Sequence, residues 1–495
     1  MESEPQQKKA KLDHYRLFNR ALTTLYEPDT LRLASTGRVP FDHAVFDRAV
    51  KKVFDDKGFT PEMLADPEVR GLIEETYNAL NGAIDTAIKT ETPPELTAAL
   101  QNNAFIFSGF KAYHCLSEVG LELTDSNGHV KSFDTFRKDV EAIDKKYNTN
   151  YLYAEYNHAV HTSQMAVKWH DFMADGDRYN LQYRTVGDER VRADHAALDG
   201  TTLPPSDDFW KFYLPPNGWN CRCNVVQVLR DDYPTSDPER AMAAGDECTD
   251  APKARIFRYN AGQEMSIFPR KHPYLPKGCG NCTRNLSLAY DPKREQCRVC
   301  QVVSEQARKE ASKKFYERLS KDEKYKDVEY DPASGGMKAT HIGHNSKSND
   351  AQILRWNMTG ADLEKEVQRL LFESGHSVVL CDESKKKGGN VLTALDMLLD
   401  GVMMDIRSVT KRKMHYGSHL SAKNKQLIKY NARSDVQIPA DSVCLYFHDG
   451  SMYHPSKITK GIDWIKKQTR DIAVKNVVCV VRKDGNSVEI FRHKI

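Results

Sequence analysis

Two closely spaced cysteine pairs are the residues of this chain whose spacing most directly predicts chemistry. Cys279 and Cys282 form one Cys-x-x-Cys pair, and Cys297 and Cys300 form a second pair after fourteen intervening residues. Each pair can turn two thiolates toward one ion, and two pairs complete the tetrahedral coordination that Zn²⁺ prefers. Because four protein ligands leave no open position, we expect a structural zinc rather than a catalytic one. The alternative is four free thiols in a loop.

A group of charged residues nearer the C-terminal end has the side chains needed to cleave a phosphodiester. A metal-independent ribonuclease needs a base for the ribose 2′-hydroxyl, an acid for the leaving oxygen and cations for the charge that develops. His415 or His419 could act as base or acid, and Arg407 and Lys425 could stabilise the charge.

A metal-dependent nuclease is the second mechanism that this region allows. Asp396 and Asp405 could hold Mg²⁺, and a lysine two positions after Asp405 would orient the attacking water. Arg407 stands at that position, and arginine cannot give up a proton as lysine can. We therefore favour a ribonuclease over a metal-dependent deoxyribonuclease. If neither applies, Asp396 and Asp400 are turn residues and Arg407 is a surface ion-pair partner. The candidate catalytic residues are Asp396, Asp405, Arg407, His415 and Lys425.

Positive charge is concentrated at the C-terminal end of the chain. The full chain carries a net charge of +3, whereas residues 406–495 contain 18 Lys/Arg and 7 Asp/Glu, a net charge of +11. Such an excess favours a polyanionic partner, RNA or DNA, over a merely solvated lysine-rich surface. The candidate nucleic-acid-binding residues are Lys411, Arg412, Lys413, Lys423 and Lys429.

The composition is typical of a multidomain protein without membrane spans. The 495 residues suffice for several domains, and no apolar run approaches the roughly 18 residues of a membrane helix. The charged N-terminal segment lacks the apolar core of a secretory signal, so we expect the protein in the cytoplasm, without a membrane partner. Eleven cysteines, an odd number, favour reduced thiols or metal ligands over a disulfide framework.

The elements that must position these residues predict a multidomain α+β protein. Residues 1–100 have helical periodicity, and residues 101–235 combine long helices with short strands. Residues 236–330 hold the cysteine pairs in a small zinc-ribbon-like connector with a charged helix, and residues 331–495 form a basic α/β domain that begins with a linker over 331–350. Within the last domain we expect a helix over 361–375 and strands over 377–381, 402–407 and 442–447.

Residues 185–229 combine charged pairs, tryptophans and cysteines in a distinctive order. They contain Asp188-Glu189-Arg190-Val191-Arg192, His195 followed by Ala-Leu-Asp-Gly, Phe209-Trp210, and Pro215-Pro216-Asn217-Gly218-Trp219-Asn220-Cys221-Arg222-Cys223. This segment resembles the head-morphogenesis proteins of tailed bacteriophages, the family of the phage Mu F protein. The resemblance implies a minor capsid component that acts in head assembly or DNA ejection, with phage portal and capsid proteins as partners. It also implies a location in the virion and, during assembly, in the cytoplasm of the bacterial host.

We expect the residues of this segment to serve packing rather than catalysis. Trp210 and Trp219 can anchor a loop that has no core of its own. The arginines that can pin loops are Arg190, Arg192 and Arg222, through bidentate pairs with Asp188, Asp194 or Asp199.

The same resemblance bears on a metal site. Some relatives carry a Cys-x-x-Cys pair and a His-x-x-Cys-x-Cys set, which together suggest bound metal. In this chain only His195, Cys221 and Cys223 remain, one ligand short of tetrahedral zinc. We therefore expect a hydrogen-bonded histidine beside buried thiols.

The region that contains the candidate catalytic residues has a resemblance of its own. Asp396, the run Asp405-Ile406-Arg407 and a following lysine-rich helix lie within residues 375–432. This region resembles the nuclease tips of contact-dependent inhibition toxins and the barnase/EndoU/colicin/RelE-like phage nucleases. The resemblance implies a nuclease toxin or effector, nucleic acid as its substrate and an immunity protein as a further partner. The alternative is a purely structural head protein whose C-terminal domain binds DNA or protein without catalysis.

Overall fold

The computed structural model describes residues 4–26, 39–89, 91–276, 295–344, 355–384, 386–387, 390–411, 416–433, 436, 439–483 and 487–495. At residues 4–10, 177, 295–297, 355, 386–387 and 390–391 it describes the backbone alone. The chain divides into two compact units. Unit 1 comprises Met1–Thr92 and Ala99–Gln306, and unit 2 comprises Pro93–Ala98 and Ala307–Ile495.

The first part of the chain is helical, as its periodicity predicts. The helices are α1 (Glu4–Leu25), α2 (Ala44–Asp55), α3 (Pro67–Asp85), α4 (Pro94–Leu121), α5 (Phe133–Asp144) and α6 (Leu152–Asp175), with a π-helical segment over Lys145–Tyr151. α2 buries Val45, Phe46, Ala49, Val50 and Val53, which is the i, i+1, i+4 spacing of one helical face. α3 begins with a proline at its first turn, where the missing N–H costs no hydrogen bond.

A small sheet follows the helices of unit 1. The further elements are β1 (Tyr179–Arg184), α7 (Ala193–Ala196), β2 (Thr202–Leu203), α8 (Phe209–Tyr213), β3 (Asn224–Leu229), α9 (Pro238–Cys248), α10 (Ala261–Glu264) and α11 (Glu295–Leu319). β1 is the central strand and pairs antiparallel with β2 and with β3. Its buried side chains Leu181 and Tyr183 pack with Trp169, Phe209 and Trp210 in one core.

Unit 2 is built on an eight-stranded sheet. Its elements are β4 (Tyr325–Asp331), β5 (Gly336–His341), α12 (Gly360–Glu373), β6 (Ser377–Leu380), β7 (Lys386–Lys387), β8 (Asn390–Val391), β9 (Met397–Leu399), β10 (Val402–Ser408), α13 (Tyr416–Asn431), β11 (Ser442–Phe447), α14 (Pro455–Gln468), β12 (Asn476–Arg482) and β13 (Val488–Lys494). The strand order is β13-β12-β11-β10-β9-β6-β5-β4. The pairs β5–β6, β10–β11 and β11–β12 are parallel, and the other neighbours are antiparallel.

Helices cover both faces of this sheet. Along β11, Val443, Leu445 and Phe447 pack with residues of α13 and α14. The alternate residues Cys444 and Tyr446 pack with residues of α12. Because successive side chains of a strand point to opposite faces, this alternation defines a three-layer α/β/α arrangement.

The structure confirms a multidomain α+β protein with a helical N-terminal region and a C-terminal sheet. The expectation of a linker is wrong for residues 336–341, which form β5 with Met337 and Ala339 fully buried. Of the zinc-ribbon-like connector, Cys279 and Cys282 lie outside the described residues. None of the described helices is long and apolar enough to cross a membrane.

Candidate functional site

Two of the candidate catalytic carboxylates lie side by side on neighbouring strands. Asp396 directly precedes β9, and Asp405 lies in the middle of β10. Met397 pairs with Met404 across the two antiparallel strands, which places Asp396 opposite Asp405. The carboxylate of Asp396 accepts a hydrogen bond from the backbone N–H of Ile406 at 2.7 Å, and this bond fixes it against β10.

The hairpin turn that joins these strands accounts for the position of a third aspartate, Asp400. Asp400 and Gly401 both have positive φ angles, 48° and 79°, as a two-residue hairpin turn requires. Asp400 accepts hydrogen bonds from the backbone N–H of Ser377 and from the ring of His376. Asp400 is therefore a turn residue, whereas Asp396 lies beside Asp405.

A lysine from a helix completes the group. Lys423 of α13 places its Nζ 2.6 Å from Oδ2 of Asp405. Three residues further along the same helix, Gln426 donates to Oδ1 of Asp405 at 3.2 Å and to the carbonyl of Ala394 at 3.1 Å. The i, i+3 spacing puts both side chains on the helix face that meets the strands.

Burial makes this group electrostatically unusual. Asp405 is fully buried and Asp396 is 9% exposed. Desolvation raises the pKa of Asp405 well above its ordinary value, and the neighbouring Asp396 raises it further, while Lys423 opposes both effects. Two carboxylates that face each other in this way can bind a hard divalent cation such as Mg²⁺, which commonly takes one or two carboxylates and keeps several waters.

Further charged groups lie around Asp396. His344 lies between two glutamates, with Nε2 3.5 Å from Glu364 and Nδ1 3.8 Å from Glu383. Burial alone would lower the pKa of His344, but Glu364, Glu383 and Asp396 outweigh burial and raise it. The acidic character of the site therefore extends beyond the two aspartates.

The other candidate residues of this region lie apart from the carboxylate pair. Arg407 is exposed, two residues after Asp405 and thus on the same face of β10. Lys425 and Lys429 are exposed on α13, on a different face of the helix from Lys423, and Lys411 is also exposed. His415, Arg412 and Lys413 lie outside the described residues.

Sequence reasoning assigned Lys423 to nucleic-acid binding and did not predict its contact with Asp405, and it did not single out Gln426. The available signal was the i, i+3 spacing of the two residues in the helix that follows the acidic hairpin.

A second polar cluster of unit 2 contains the residue types of a metal-independent ribonuclease. Glu366 accepts hydrogen bonds from Tyr446 at 2.6 Å, from Nδ1 of His448 at 2.5 Å and from Arg482 at 2.8 Å. The side chains of Glu366, His448 and Arg482 are 11%, 14% and 29% exposed. A carboxylate, an imidazole and a guanidinium are thus assembled here as well, and both oxygens of the carboxylate accept hydrogen bonds.

In unit 1, the segment around residues 185–229 is packed as expected. Arg222 forms a bidentate pair with Asp188, at 2.7 and 2.5 Å, and holds the pKa of that carboxyl down at about 2. Arg190 approaches the same carboxylate at 3.6 Å. Trp210 is fully buried, and Trp219 is 4% exposed. Trp219 stacks on Tyr26 with ring centroids 4.9 Å apart, so the loop is anchored by its aromatic side chains.

Arg192 departs from the expected pairing with an aspartate. Among its described contacts, its guanidinium donates to the carbonyl of Trp219 and lies 3.0 Å from Nε2 of His195. It therefore pins the loop through a backbone carbonyl and an imidazole.

Comparisons with known proteins find relatives of this part of the chain. Residues 119–226 match the family described as Phage Mu protein F like protein, so this segment is Mu F-like and the predicted resemblance is confirmed. The chain is 41% identical over 71 residues to the putative capsid assembly protein F of Escherichia phage Mu, which covers 14% of this chain and 16% of that protein.

A second relative gives the same result. The chain is 46% identical over 44 residues to the Mu-like prophage FluMu F protein of Haemophilus influenzae, which covers 9% of this chain and 11% of that protein. The chain thus spans less than a fifth of the length of these curated relatives. No solved structure matches the chain.

Proposed function

We propose that this chain is a capsid-assembly protein of a Mu-like phage or prophage, associated with the virion. The match over residues 119–226 carries the proposal. The phage Mu relative is named a putative capsid assembly protein. Portal and capsid proteins are the partners that such a role requires. The buried Trp219 and the Arg222–Asp188 pair give that part the rigid loop that a docking surface needs.

The test is incorporation into phage heads. We expect the chain to be detected by mass spectrometry in heads purified from a host that carries the phage, at few copies per head. Arg222→Ala removes the bidentate pair and should lower incorporation, whereas Lys429→Ala, at an exposed residue of α13, should leave it unchanged. Absence of the wild-type chain from purified heads would contradict the proposal.

We further infer that unit 2 is a metal-dependent nuclease. The observation that carries this inference is the ion pair of Lys423 with Asp405, next to Asp396. The sequence alone favoured a metal-independent ribonuclease, because Arg407 occupies the strand position where a lysine is needed. A lysine from α13 reaches the same carboxylate, which removes that objection to the metal-dependent mechanism.

The roles of the residues follow from their chemistry. Asp396 and Asp405 would hold Mg²⁺, which when bound supplies a Lewis acid and an activated water. Lys423, whose Nζ contacts Asp405, would position that water. Exposed Arg407, Lys411 and Lys425 would contact the phosphate backbone, in keeping with the net charge of +11 over residues 406–495.

Two further proposals rest on the sequence. A structural zinc held by Cys279, Cys282, Cys297 and Cys300 remains a proposal, and of these four side chains only that of Cys300, which is buried, is described. An immunity protein would have to neutralise a toxic nuclease in the producing cell.

The nuclease proposal is tested by asking which substrate the full chain cleaves and which of the two polar clusters of unit 2 is needed for the cleavage. The full chain should cleave tRNA or duplex DNA in Mg²⁺ and lose this activity in EDTA. Asp405→Asn should abolish cleavage, and His448→Gln should leave most of it. The reverse result, EDTA-resistant RNA cleavage that is lost in His448→Gln, would assign catalysis to the Glu366 cluster instead. Binding without cleavage of either substrate would favour a structural C-terminal domain.

A further inference from the structure

Three potential zinc ligands lie together in the Mu F-like part of the chain, and a fourth, from the helix that follows it, lies close to one of them. His195 lies in α7, Cys221 and Cys223 lie in the loop before β3, and Cys248 is the last residue of α9. They are 3%, 3%, 7% and 3% exposed. The thiols are free, since none of these cysteines forms a disulfide. Sequence reasoning found three of these residues and counted the set as one ligand short.

The distances from His195 to the two loop cysteines fit a tetrahedral metal site. Nδ1 of His195 lies 3.4 Å from Sγ of Cys223 and 3.5 Å from Sγ of Cys221. A tetrahedral ion with Zn–S of about 2.3 Å and Zn–N of about 2.0 Å separates nitrogen and sulfur ligands by about 3.5 Å. The ligand atoms of His195, Cys221 and Cys223 all lie within 4.8 Å of one another.

The fourth ligand comes from a helix that follows the segment. The ligand atoms of Asp194, His195 and Cys248 also lie within 4.8 Å of one another, so the histidine belongs to both groups. Asp194 is exposed, and one of its oxygens accepts from the backbone N–H of His195 at 2.9 Å. Cys248 is buried, and structural zinc sites favour thiolates over carboxylates. We propose that His195, Cys221, Cys223 and Cys248 bind a structural Zn²⁺.

Close packing of α9 places Cys248 at this site. A Cβ added to Gly245 would lie 2.4 Å from the ring of Tyr213, so the glycine lets α9 approach α8. Tyr213 also donates to Asp246 at 2.7 Å. These contacts hold the last turn of α9 against α8, and Cys248 packs in the same buried core as Cys221 and Cys223.

Metal binding has one local consequence. Ligation through Nδ1 leaves the ring proton of His195 on Nε2, which faces a guanidinium nitrogen of Arg192 at 3.0 Å. Because both nitrogens are then donors, Arg192 must turn away from the ring and keep its bond to the carbonyl of Trp219. The guanidinium remains close enough to offset the excess negative charge of three thiolates on one Zn²⁺.

The test measures zinc in the purified full chain by elemental analysis. The double variant Cys279→Ser/Cys282→Ser removes the other predicted zinc and serves as the parent chain. We expect this parent to contain one equivalent of zinc, and a parent free of zinc overturns the proposal. Adding Cys248→Ser should remove that equivalent, whereas adding Cys444→Ser, at a buried free cysteine of unit 2, should not. Zinc that is kept in the Cys248→Ser variant but lost in the Cys221→Ser variant would overturn the assignment of Cys248 as the fourth ligand.

A second measurement does not depend on how the variants fold. The parent chain loaded with Co²⁺ in place of zinc should show the visible bands of tetrahedral cobalt and the near-ultraviolet thiolate-to-metal charge transfer of three sulfur ligands. Cobalt bound without thiolate bands would overturn the proposal. Neither readout requires capsid assembly or nuclease activity, so failure of those proposals would be seen separately.

Discussion

Lys423 reaches across from helix α13 to Asp405 of strand β10, with Nζ 2.6 Å from Oδ2. The two residues are eighteen positions apart, and the carboxylate that the lysine meets is fully buried. The spacing of residues in the sequence predicts Arg407, not Lys423, as the basic residue beside that carboxylate. This contact is the reason why we propose the metal-dependent mechanism rather than the metal-independent one for unit 2.

A buried ion pair in unit 1 gives a prediction about stability. Nζ of Lys111 lies 2.5 Å from Glu155, which also accepts from Tyr26 at 2.7 Å. Lys111 and Glu155 are 2% and 0% exposed, and burial lowers the pKa of Lys111. Lys111→Met leaves an uncompensated buried carboxylate and should cost about 3–5 kcal/mol of stability.

The double variant Lys111→Met/Glu155→Leu is the matched comparison. Because it removes both charges, it should recover much of the loss, as judged by urea unfolding followed by tryptophan fluorescence. A double variant less stable than Lys111→Met alone would contradict this account of the pair.

The Arg222–Asp188 pair predicts a dependence on pH. Arg222 lowers the pKa of Asp188 from 3.8 to about 2, so the pair contributes stability above the unfolded pKa. This contribution should be lost as pH falls from about 4 to about 2. The difference in unfolding free energy between wild type and Asp188→Asn should therefore shrink over this range. A difference that stays constant down to pH 2 would show that the pair is not formed in solution.

Two glycines give a matched pair of packing predictions in unit 1. A Cβ at Gly262 would lie 2.5 Å from the buried side chain of Trp169, so Gly262→Ala should destabilise by about 1–3 kcal/mol. Gly82 is exposed in helix α3 with nothing within 4 Å of an added Cβ, so Gly82→Ala should stabilise by about 0.5–1 kcal/mol. Thermal unfolding of the two variants should shift in opposite directions, and equal shifts would refute the packing argument.

Local sequence pattern predicted those features that depend on neighbouring residues. The strand expected over 402–407 is β10 at Val402–Ser408, the strand over 442–447 is β11, and the helix over 361–375 is α12 at Gly360–Glu373. These segments carry their own local signals. β11 is a short run that is buried on both faces, and α12 repeats buried residues along one face.

The features that were not predicted depend on tertiary packing. Lys423 meets Asp405 only because α13 packs on the sheet, and Cys248 meets His195 only because α9 packs on α8. β5 has too many small and polar residues to be recognised as a strand, and only its place in the sheet buries Met337 and Ala339. The i, i+3 spacing of Lys423 and Gln426 indicates a shared helix face, but no spacing in the sequence indicates which strand or helix such a face meets.

The most direct test of the nuclease proposal compares two lysines of one helix. The full chain is incubated with tRNA and with duplex DNA in Mg²⁺, as wild type, Lys423→Met and Lys425→Met. Because Lys423 contacts Asp405 and Lys425 is exposed, Lys423→Met should slow cleavage by about 100-fold or more, and Lys425→Met should slow it only a few-fold through weaker binding. Equal rates for Lys423→Met and wild type, or cleavage by none of the three proteins, would contradict the site described here.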